Sequence, residues 1–154
     1  INKYVYVPRR FGQFNNTLIN ASALGLVYLF GVLDPADPAL FRTVEKIEAE
    51  LIRDYGVYRS HYDRYDGWIN RGRKMNKGAG YWPLLNCWLS IVLHRQGRRA
   101  EAEKYLAKVL EDADQYIPEQ IFDNDIQQGV SPLAWSHAMF VLAAKELEYW
   151  DNNT

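Results

Sequence analysis

Cysteine is nearly absent from this sequence, since Cys87 is the only one among 154 residues. A disulfide framework within the chain is therefore excluded, and a lone thiol fits a reducing compartment, so we expect a cytoplasmic protein. An excess of one charge is also lacking, because 18 basic and 19 acidic side chains leave a formal net charge of -1. No excess of basic side chains would attract the whole chain to a polyanion, so we expect no nucleic-acid partner.

Long apolar runs are missing as well. No window of eighteen residues is both apolar and free of charge, so we expect no transmembrane helix and no membrane partner. The first residue is Ile1 rather than Met, and no signal-peptide pattern follows it. We therefore interpret the sequence as a piece of a longer polypeptide.

Aromatic residues, in contrast, are abundant. They make up 14% of the chain, with 5 Trp and 11 Tyr. Such rings pack in helical cores, and they also serve carbohydrate sites, where the flat apolar face of a sugar stacks on them.

Apolar residues recur at helical spacing in five segments, which predicts an all-α protein built of antiparallel helix pairs. No segment after the N-terminal entry shows the alternation of a strand. Asp37 and Pro38 fit the cap and first position of the second helix, and Ser131 fits the cap of the last. The predicted helices cover residues 17–32, 38–55, 81–93, 100–113 and 132–149.

Two long loops separate these helices. Residues 57–80 are rich in Tyr, Trp, Arg and Asp, and a loop of this length in a compact domain is usually functional or disordered; the aromatic content argues against disorder. The basic run from Arg71 to Lys77 within it reads most simply as a solvated surface, with phosphate binding as a weaker alternative.

The second loop holds Glu119, within Pro118-Glu119-Gln120. It stands ahead of a helix whose first turns carry Trp135, Ser136 and His137. A loop carboxylate held over a helical scaffold beside an aromatic ring suits general acid or base chemistry on a sugar. Taken alone, Glu119 is as well explained as a solvated, inert residue, and His137 as a hydrogen-bonded core histidine.

Taken in order, several segments resemble glycoside hydrolase family 15, the glucoamylase-like enzymes, over nearly the whole chain. The spacing of Arg59, Asp63 and Tyr65 resembles the family's substrate loop. The other segments that carry the resemblance are Gly31-Val32-Leu33-Asp34-Pro35, Trp82 with Trp88, Pro118-Glu119-Gln120 and Pro132-Leu133-Ala134-Trp135-Ser136-His137-Ala138. Asn20, Ser60, Tyr81 and the stretch 68–77 depart from the family pattern.

The resemblance implies that residues 1–154 are the C-terminal part of an (α/α)6 toroid whose first half is absent. It implies inverting hydrolysis of an α-linked oligosaccharide or glucoside, with Glu119 as the general base and no cofactor or metal. The general acid would lie in the absent half, so the piece alone would be inactive. By resemblance, the substrate-binding residues are Arg59, Asp63, Tyr65, Trp82 and Trp135.

Alternatives remain at each of these positions. Arg59 and Asp63 could form a surface ion pair, Asp63 and Tyr65 could structure the loop, Trp82 could belong to the core, and Trp135 could bury against the loop and support Glu119. The whole chain could be a non-catalytic helical module or an inactive regulatory relative. An apolar face left where the other half-barrel docks would also favour a homo-oligomer.

Overall fold

The computed structural model of the chain describes residues 19–69 and 78–149. Over these residues the architecture is helical, with four two-residue strands, which confirms the predicted all-α class. The basic run Arg71 to Lys77 lies outside the described residues. None of the described helices is long and apolar enough to span a membrane.

The helices come in chain order as a short 3-10 turn and five α-helices. The 3-10 turn spans Ala21–Leu24 and runs directly into α1; the α-helices are α1 (Gly25–Tyr28), α2 (Pro38–Leu51), α3 (Pro83–Arg95), α4 (Arg99–Asp112) and α5 (Ala134–Glu146). As predicted, the Asp37 carboxylate caps α2, accepting from the Ala39 N–H at 2.7 Å, and Pro38 takes the first helical position.

Burial divides the helices into a central one and its neighbours. Every residue of α3 from Pro83 to Leu93 is buried, whereas α2 and α4 each bury one face and expose charged residues on the other. Helix α3 packs against α4, α5, α1 and the 3-10 turn. This layering, with α3 between α1 and α5 and with α2 and α4 outside, is the local pattern of an inner and an outer helix ring.

Two small antiparallel strand pairs join the loops to the helices. Strands β1 (Ile52–Arg53) and β2 (Gly56–Val57) form a tight hairpin after α2. Strand β3 (Trp68–Ile69) pairs with β4 (Gln127–Gln128), so the two long loops predicted from the sequence are joined to each other. The pairing brings the substrate-loop residues and the Glu119 segment to the same end of the helix layer.

Several helix boundaries differ from the prediction. Helix α2 ends at Leu51 rather than at residue 55, because Ile52–Arg53 forms β1. The first helical segment ends at Tyr28, and Leu29, Phe30 and Val32, which we predicted in a buried helix, are exposed. Gly31 follows at φ +57°, a left-handed conformation that ends the helix there. The last helix begins at Ala134 rather than at Pro132, and its N-cap residue is Leu133, so Ser131 does not cap it.

Candidate active site

Glu119 lies on an extended segment that is hydrogen-bonded along both edges. Its N–H donates to the Val130 carbonyl at 2.9 Å. Two residues on, the Ile121 N–H donates to the Tyr81 carbonyl at 2.9 Å, and the Tyr81 N–H donates back to Ile121 at 3.0 Å. The backbone beneath Glu119 is thus fixed to the start of α3 on one side and to the segment leading to α5 on the other.

Two glycines allow this close packing of backbones. A Cβ atom at Gly129 would lie 2.2 Å from the Gln120 carbonyl oxygen, and one at Gly80 would lie 2.2 Å from that of Ile121. Both contacts are with backbone, which cannot swing aside as a side chain could. Larger residues at either position would push the Glu119 segment out of place.

Tyr81 and Trp82 form the N-terminal entry to α3. The Tyr81 hydroxyl donates to Asp112 at 3.0 Å, and burial, followed by the charge of Asp112, raises the pKa of that hydroxyl far above its usual value. The residue before a proline is restricted to extended conformations, and Trp82, which precedes Pro83, has φ -108° and ψ 108°. The Trp82 backbone N–H donates to the Val57 carbonyl at 2.9 Å, and this bond holds the residue at the N-terminal end of α3.

The loop that carries Arg59 and Asp63 reaches the same place. The Asp63 side chain is only 4% exposed; its Oδ1 accepts from Arg59 Nη2 at 2.5 Å and from the Tyr65 N–H at 3.1 Å. The Arg59 guanidinium carbon lies 4.6 Å from the centre of the Trp82 ring. The Arg59–Asp63 ion pair that we weighed as an alternative therefore exists, with Arg59 37% exposed and Asp63 buried, and the substrate-binding role of the two residues stays a prediction.

Tyr65 joins that loop to Trp82. Its ring stacks on Trp82 with centroids 5.9 Å apart and an interplanar angle of 29°. Burial first, and then the charge of the nearby Glu119 carboxylate, raise the pKa of the Tyr65 hydroxyl, against the lowering effect of Arg59. The structure thus brings Arg59, Asp63, Tyr65, Trp82 and Glu119 into one cluster, which we call the rim cluster.

Three polar atoms of the rim cluster are buried and have no hydrogen-bond partner among residues 19–69 and 78–149. They are Glu119 Oε2, Asp63 Oδ2 and Trp82 Nε1. Buried polar atoms are nearly always paired in folded proteins, so we expect water or a polar ligand at these atoms. Two acceptors, one donor and adjacent aromatic rings suit water and sugar hydroxyls.

Trp135 does not occupy the position that we expected. Its side chain is 53% exposed, so it is not buried against the loop, and it meets Trp88 edge-on at 6.0 Å between ring centroids. Trp135 lies in the first turn of α5, on the face of that helix that is exposed together with Val141 and Leu142. Trp88 is 5% exposed and belongs to the core, as predicted.

The side chains of His137 and Gln120 differ in how they are hydrogen-bonded. His137 Nε2 accepts from the Ile117 N–H at 3.2 Å, so its Nδ1 carries the proton and donates to the Leu133 carbonyl at 2.9 Å. This confirms a hydrogen-bonded structural histidine. The Gln120 side chain, in contrast, is 1% exposed and has no partner for either amide atom among the described residues.

The sequence did not reveal how Tyr65 takes part. Its position two residues after Asp63 pointed to a substrate contact, whereas its stacking on Trp82 depends on the fold, because the two residues are separated by the rest of the loop. A metal centre has no support in the described ranges, where no group of three or more His, Cys, Asp or Glu side chains could hold an ion.

Comparison with known proteins gives the class to which this geometry corresponds. No protein-family model matches the sequence. The chain is 27% identical over 146 residues to the isomaltose glucohydrolase of Kribbella flavida, covering 86% of this chain and 35% of that protein. It is 31% identical over 125 residues to trehalase 1 of Sulfolobus acidocaldarius, covering 78% of this chain and 20% of that one.

Solved structures agree with these relatives. A wild-type glycosidase superposes with a TM-score of 0.71 at 27% identity, over 84% of this chain and 36% of its own. A bacterial glucoamylase complexed with acarbose superposes with a TM-score of 0.68 at 26% identity, over 86% of this chain and 21% of its own.

The chain is therefore a homologue of glycosidases, and its helices form part of a glucoamylase-like (α/α)6 barrel. This confirms the resemblance to the glucoamylase-like enzymes that the motifs indicated. The chain spans 20% to 36% of the length of the relatives and structures that it matches. It corresponds to a part of their catalytic unit, and the site roles of individual residues stay predictions.

Proposed function

We propose that this chain is the base-bearing part of an inverting glycosidase that hydrolyses α-glucosidic bonds. The observation that carries the proposal is the rim cluster, in which contacts join Arg59, Asp63, Tyr65 and Trp82, and the Glu119 segment is hydrogen-bonded to Tyr81, the residue before Trp82. The glycosidases among the relatives support it.

The chemistry needs two carboxyl groups, of which Glu119 is one. In the inverting mechanism Glu119 takes a proton from a water molecule as the water oxygen bonds to the anomeric carbon. The glycosidic bond breaks on the opposite face, and a general acid protonates the departing oxygen. The two groups must lie roughly 6.5–9.5 Å apart so that the water fits between them. We place the acid outside residues 1–154, in the other part of the domain.

The substrate is an α-linked glucoside or short oligosaccharide. Isomaltose glucohydrolase and trehalase, by their names, both act on glucose disaccharides, and one related glycosidase was solved in complex with glucose. The shared feature is a terminal glucosyl unit. We propose that Arg59 and Asp63 contribute polar contacts to it, with the guanidinium fork suited to paired hydroxyls.

A direct test is hydrolysis of isomaltose, trehalose and maltose by a complete catalytic domain that contains this chain, followed by proton NMR of the first-formed anomer. We expect one of the three to be cleaved, with the attacked glucosyl unit released as β-glucose (from trehalose, together with the α-glucose of the leaving unit), and we expect no hydrolysis by residues 1–154 alone. Release of the attacked unit as α-glucose would contradict inversion. No hydrolysis of any α-glucoside by the complete domain would favour an inactive relative.

The partner that this chain needs is the rest of the barrel. Helix α5 is apolar on nearly all sides, and Trp135, Val141 and Leu142 remain exposed on one stripe of it. A helix that is apolar all round is normally buried on every side. We propose that this stripe packs against the barrel helices that the matched region leaves out.

A charge on that stripe tests the packing. In the complete domain, Val141→Lys should lower the free energy of unfolding by about 2 kcal/mol or more, because the lysine would be buried against the next helix. Leu110→Lys is the matched control: Leu110 is 60% exposed on the outer side of α4, against 50% for Val141, and its replacement should cost less than about 0.5 kcal/mol. Equal effects of the two variants in chemical denaturation of the complete domain would refute this docking surface.

A further inference from the structure

We propose that Tyr81 is a positioning residue for the general base: it fastens the extended segment that carries Glu119 to the outer helix α4. This role rests on the proposed function, because only that function makes Glu119 the base. Three sets of contacts around Tyr81 lead to it.

The first set joins Tyr81 to the Glu119 segment. Tyr81 and Ile121 face each other in an antiparallel bridge, in which the backbone N–H of each donates to the carbonyl of the other, at 3.0 and 2.9 Å. Two residues earlier, the Glu119 N–H donates to the Val130 carbonyl at 2.9 Å. Tyr81 and Val130 are therefore the two backbone supports of the segment on which the candidate base lies.

The second set anchors the Tyr81 side chain. Tyr81 is 5% exposed, and its hydroxyl donates to Oδ2 of Asp112, the last residue of α4, at 3.0 Å. A Cβ atom at Gly56 would lie 2.8 Å from the Tyr81 ring, so β2 packs directly on that ring. A ring that is packed on its face and hydrogen-bonded at its tip has little freedom, and it holds the backbone of its own residue in place.

The third set fixes Asp112 itself. A carboxylate at the C-terminal end of a helix is disfavoured by the helix dipole, and the last turn of α4 has no basic residue. Lys108 offsets this charge from one turn earlier, because its Nζ lies 3.3 Å from Asp112 and 2.6 Å from Asp54 in the turn of the β1–β2 hairpin. The contact with Tyr81 gives a reason for an acidic residue at a position where it does not favour the helix.

Contacts thus run from the outer helix through the Tyr81 side chain to the backbone that carries the base. Glu119 lies two residues from Ile121, so a shift of Tyr81 would displace Glu119 with it. A general base must stay within hydrogen-bond reach of the attacking water, and small errors in its placement cost large factors in rate. Loss of the Tyr81–Asp112 hydrogen bond should therefore lower kcat rather than weaken substrate binding.

Tyr81→Phe in the complete catalytic domain removes the hydroxyl and keeps the ring that packs on β2. We expect kcat to fall about threefold to tenfold while KM changes by less than about twofold. Ser90→Ala is the matched control: it also removes one hydrogen bond to α4, from the buried Ser90 hydroxyl to the Ala102 carbonyl, but from a residue two turns into α3, and it should retain wild-type kcat. A raised KM with unchanged kcat in Tyr81→Phe would refute a positioning role, and so would equal kcat in the two variants.

Two replacements at position 112 test the bond itself. Asp112→Ala and Asp112→Asn both lose the ion pair with Lys108, but asparagine keeps an oxygen that can accept from the Tyr81 hydroxyl. We expect Asp112→Ala to lower kcat as Tyr81→Phe does, and Asp112→Asn to recover most of that loss. Combining Tyr81→Phe with Asp112→Ala should be no worse than either change alone, because both remove the same bond. Equal losses in the alanine and asparagine variants would overturn the proposal.

Amide exchange tests the anchor without any hydrolysis. In the complete domain, hydrogen–deuterium exchange of the peptide that contains Ile121, measured by mass spectrometry, should be faster in Tyr81→Phe than in wild type and unchanged in Ser90→Ala. Faster exchange together with wild-type kcat would reduce Tyr81 to a structural residue and refute the positioning role.

Failure of this role can be distinguished from failure of the proposed function. If Glu119→Gln is inactive while Tyr81→Phe exchanges and turns over like wild type, Glu119 remains the base and only the role of Tyr81 is wrong. If Glu119→Gln turns over like wild type, the base assignment fails, and the positioning role fails with it.

Discussion

Glu119→Gln in the complete catalytic domain is expected to lower kcat by about 10²–10⁴-fold, the usual contribution of a general base. Glutamine has nearly the shape of glutamate, but its amide does not accept a proton from water at neutral pH. The packing around residue 119 should therefore survive while the proton-accepting group is lost. The initial rate of glucose release from the preferred disaccharide measures the effect.

Asp123→Asn is the control for this substitution. It also removes one carboxylate from the same loop, but Asp123 is exposed and no contact joins it to the rim cluster. Its kcat should stay within about twofold of wild type, because exposed charges in water interact weakly with a buried site. Comparable turnover in Glu119→Gln and wild type would eliminate Glu119 as the base.

Asn86→Ala is expected to give the largest loss of stability in the chain, about 3–4 kcal/mol in the free energy of unfolding. Asn86 is fully buried in α3. Its Oδ1 accepts from the Val57 N–H at 2.8 Å, and its Nδ2 donates to the carbonyls of Tyr55 at 2.8 Å and Tyr105 at 3.0 Å. One amide thus joins the β1–β2 hairpin, α3 and α4; its removal leaves the buried Val57 N–H without its partner and breaks the bonds to the Tyr55 and Tyr105 carbonyls.

Ser90→Ala provides the comparison on the same helix. Ser90 is also fully buried, but its hydroxyl makes a single hydrogen bond, to the Ala102 carbonyl at 2.7 Å. Its loss should cost about 1 kcal/mol. Urea unfolding of the two variants measures the difference; an Asn86→Ala cost no larger than that of Ser90→Ala would mean that the hairpin is held by other contacts.

Helix positions were largely predictable because they depend on local chemistry. The periodic apolar residues of α2 and α4 and the Asp37-Pro38 start of α2 fix these helices whatever they pack against. The end of the first predicted helix, residues 17–32, was wrong for the opposite reason. Its continuous apolar run showed no periodicity that could locate an end, and the end is set by Gly31, whose left-handed backbone breaks the helix.

The candidate site was predicted as a set of residues rather than as a geometry. Arg59, Asp63, Tyr65, Trp82 and Glu119 were identified by their resemblance to family motifs, and the structure brings these five together. Trp135 was misplaced because its exposure depends on how α5 faces its neighbours. Asn86 was overlooked: a polar residue within a continuous apolar stretch signals a buried hydrogen-bonding role, but its three partners are distant in sequence.

By itself the amino-acid sequence determined the helical class, the segments that become helices and the residue types available for acid–base chemistry, because periodicity, capping and composition act over a few neighbouring residues. Only the tertiary structure decided that Tyr81 joins the Glu119 segment to α4, that Asp63 is buried beneath Arg59 and that α5 leaves an apolar stripe exposed. These facts depend on strand pairing and helix packing between segments tens of residues apart, where burial and backbone hydrogen bonding of the whole fold determine which side chains come into contact.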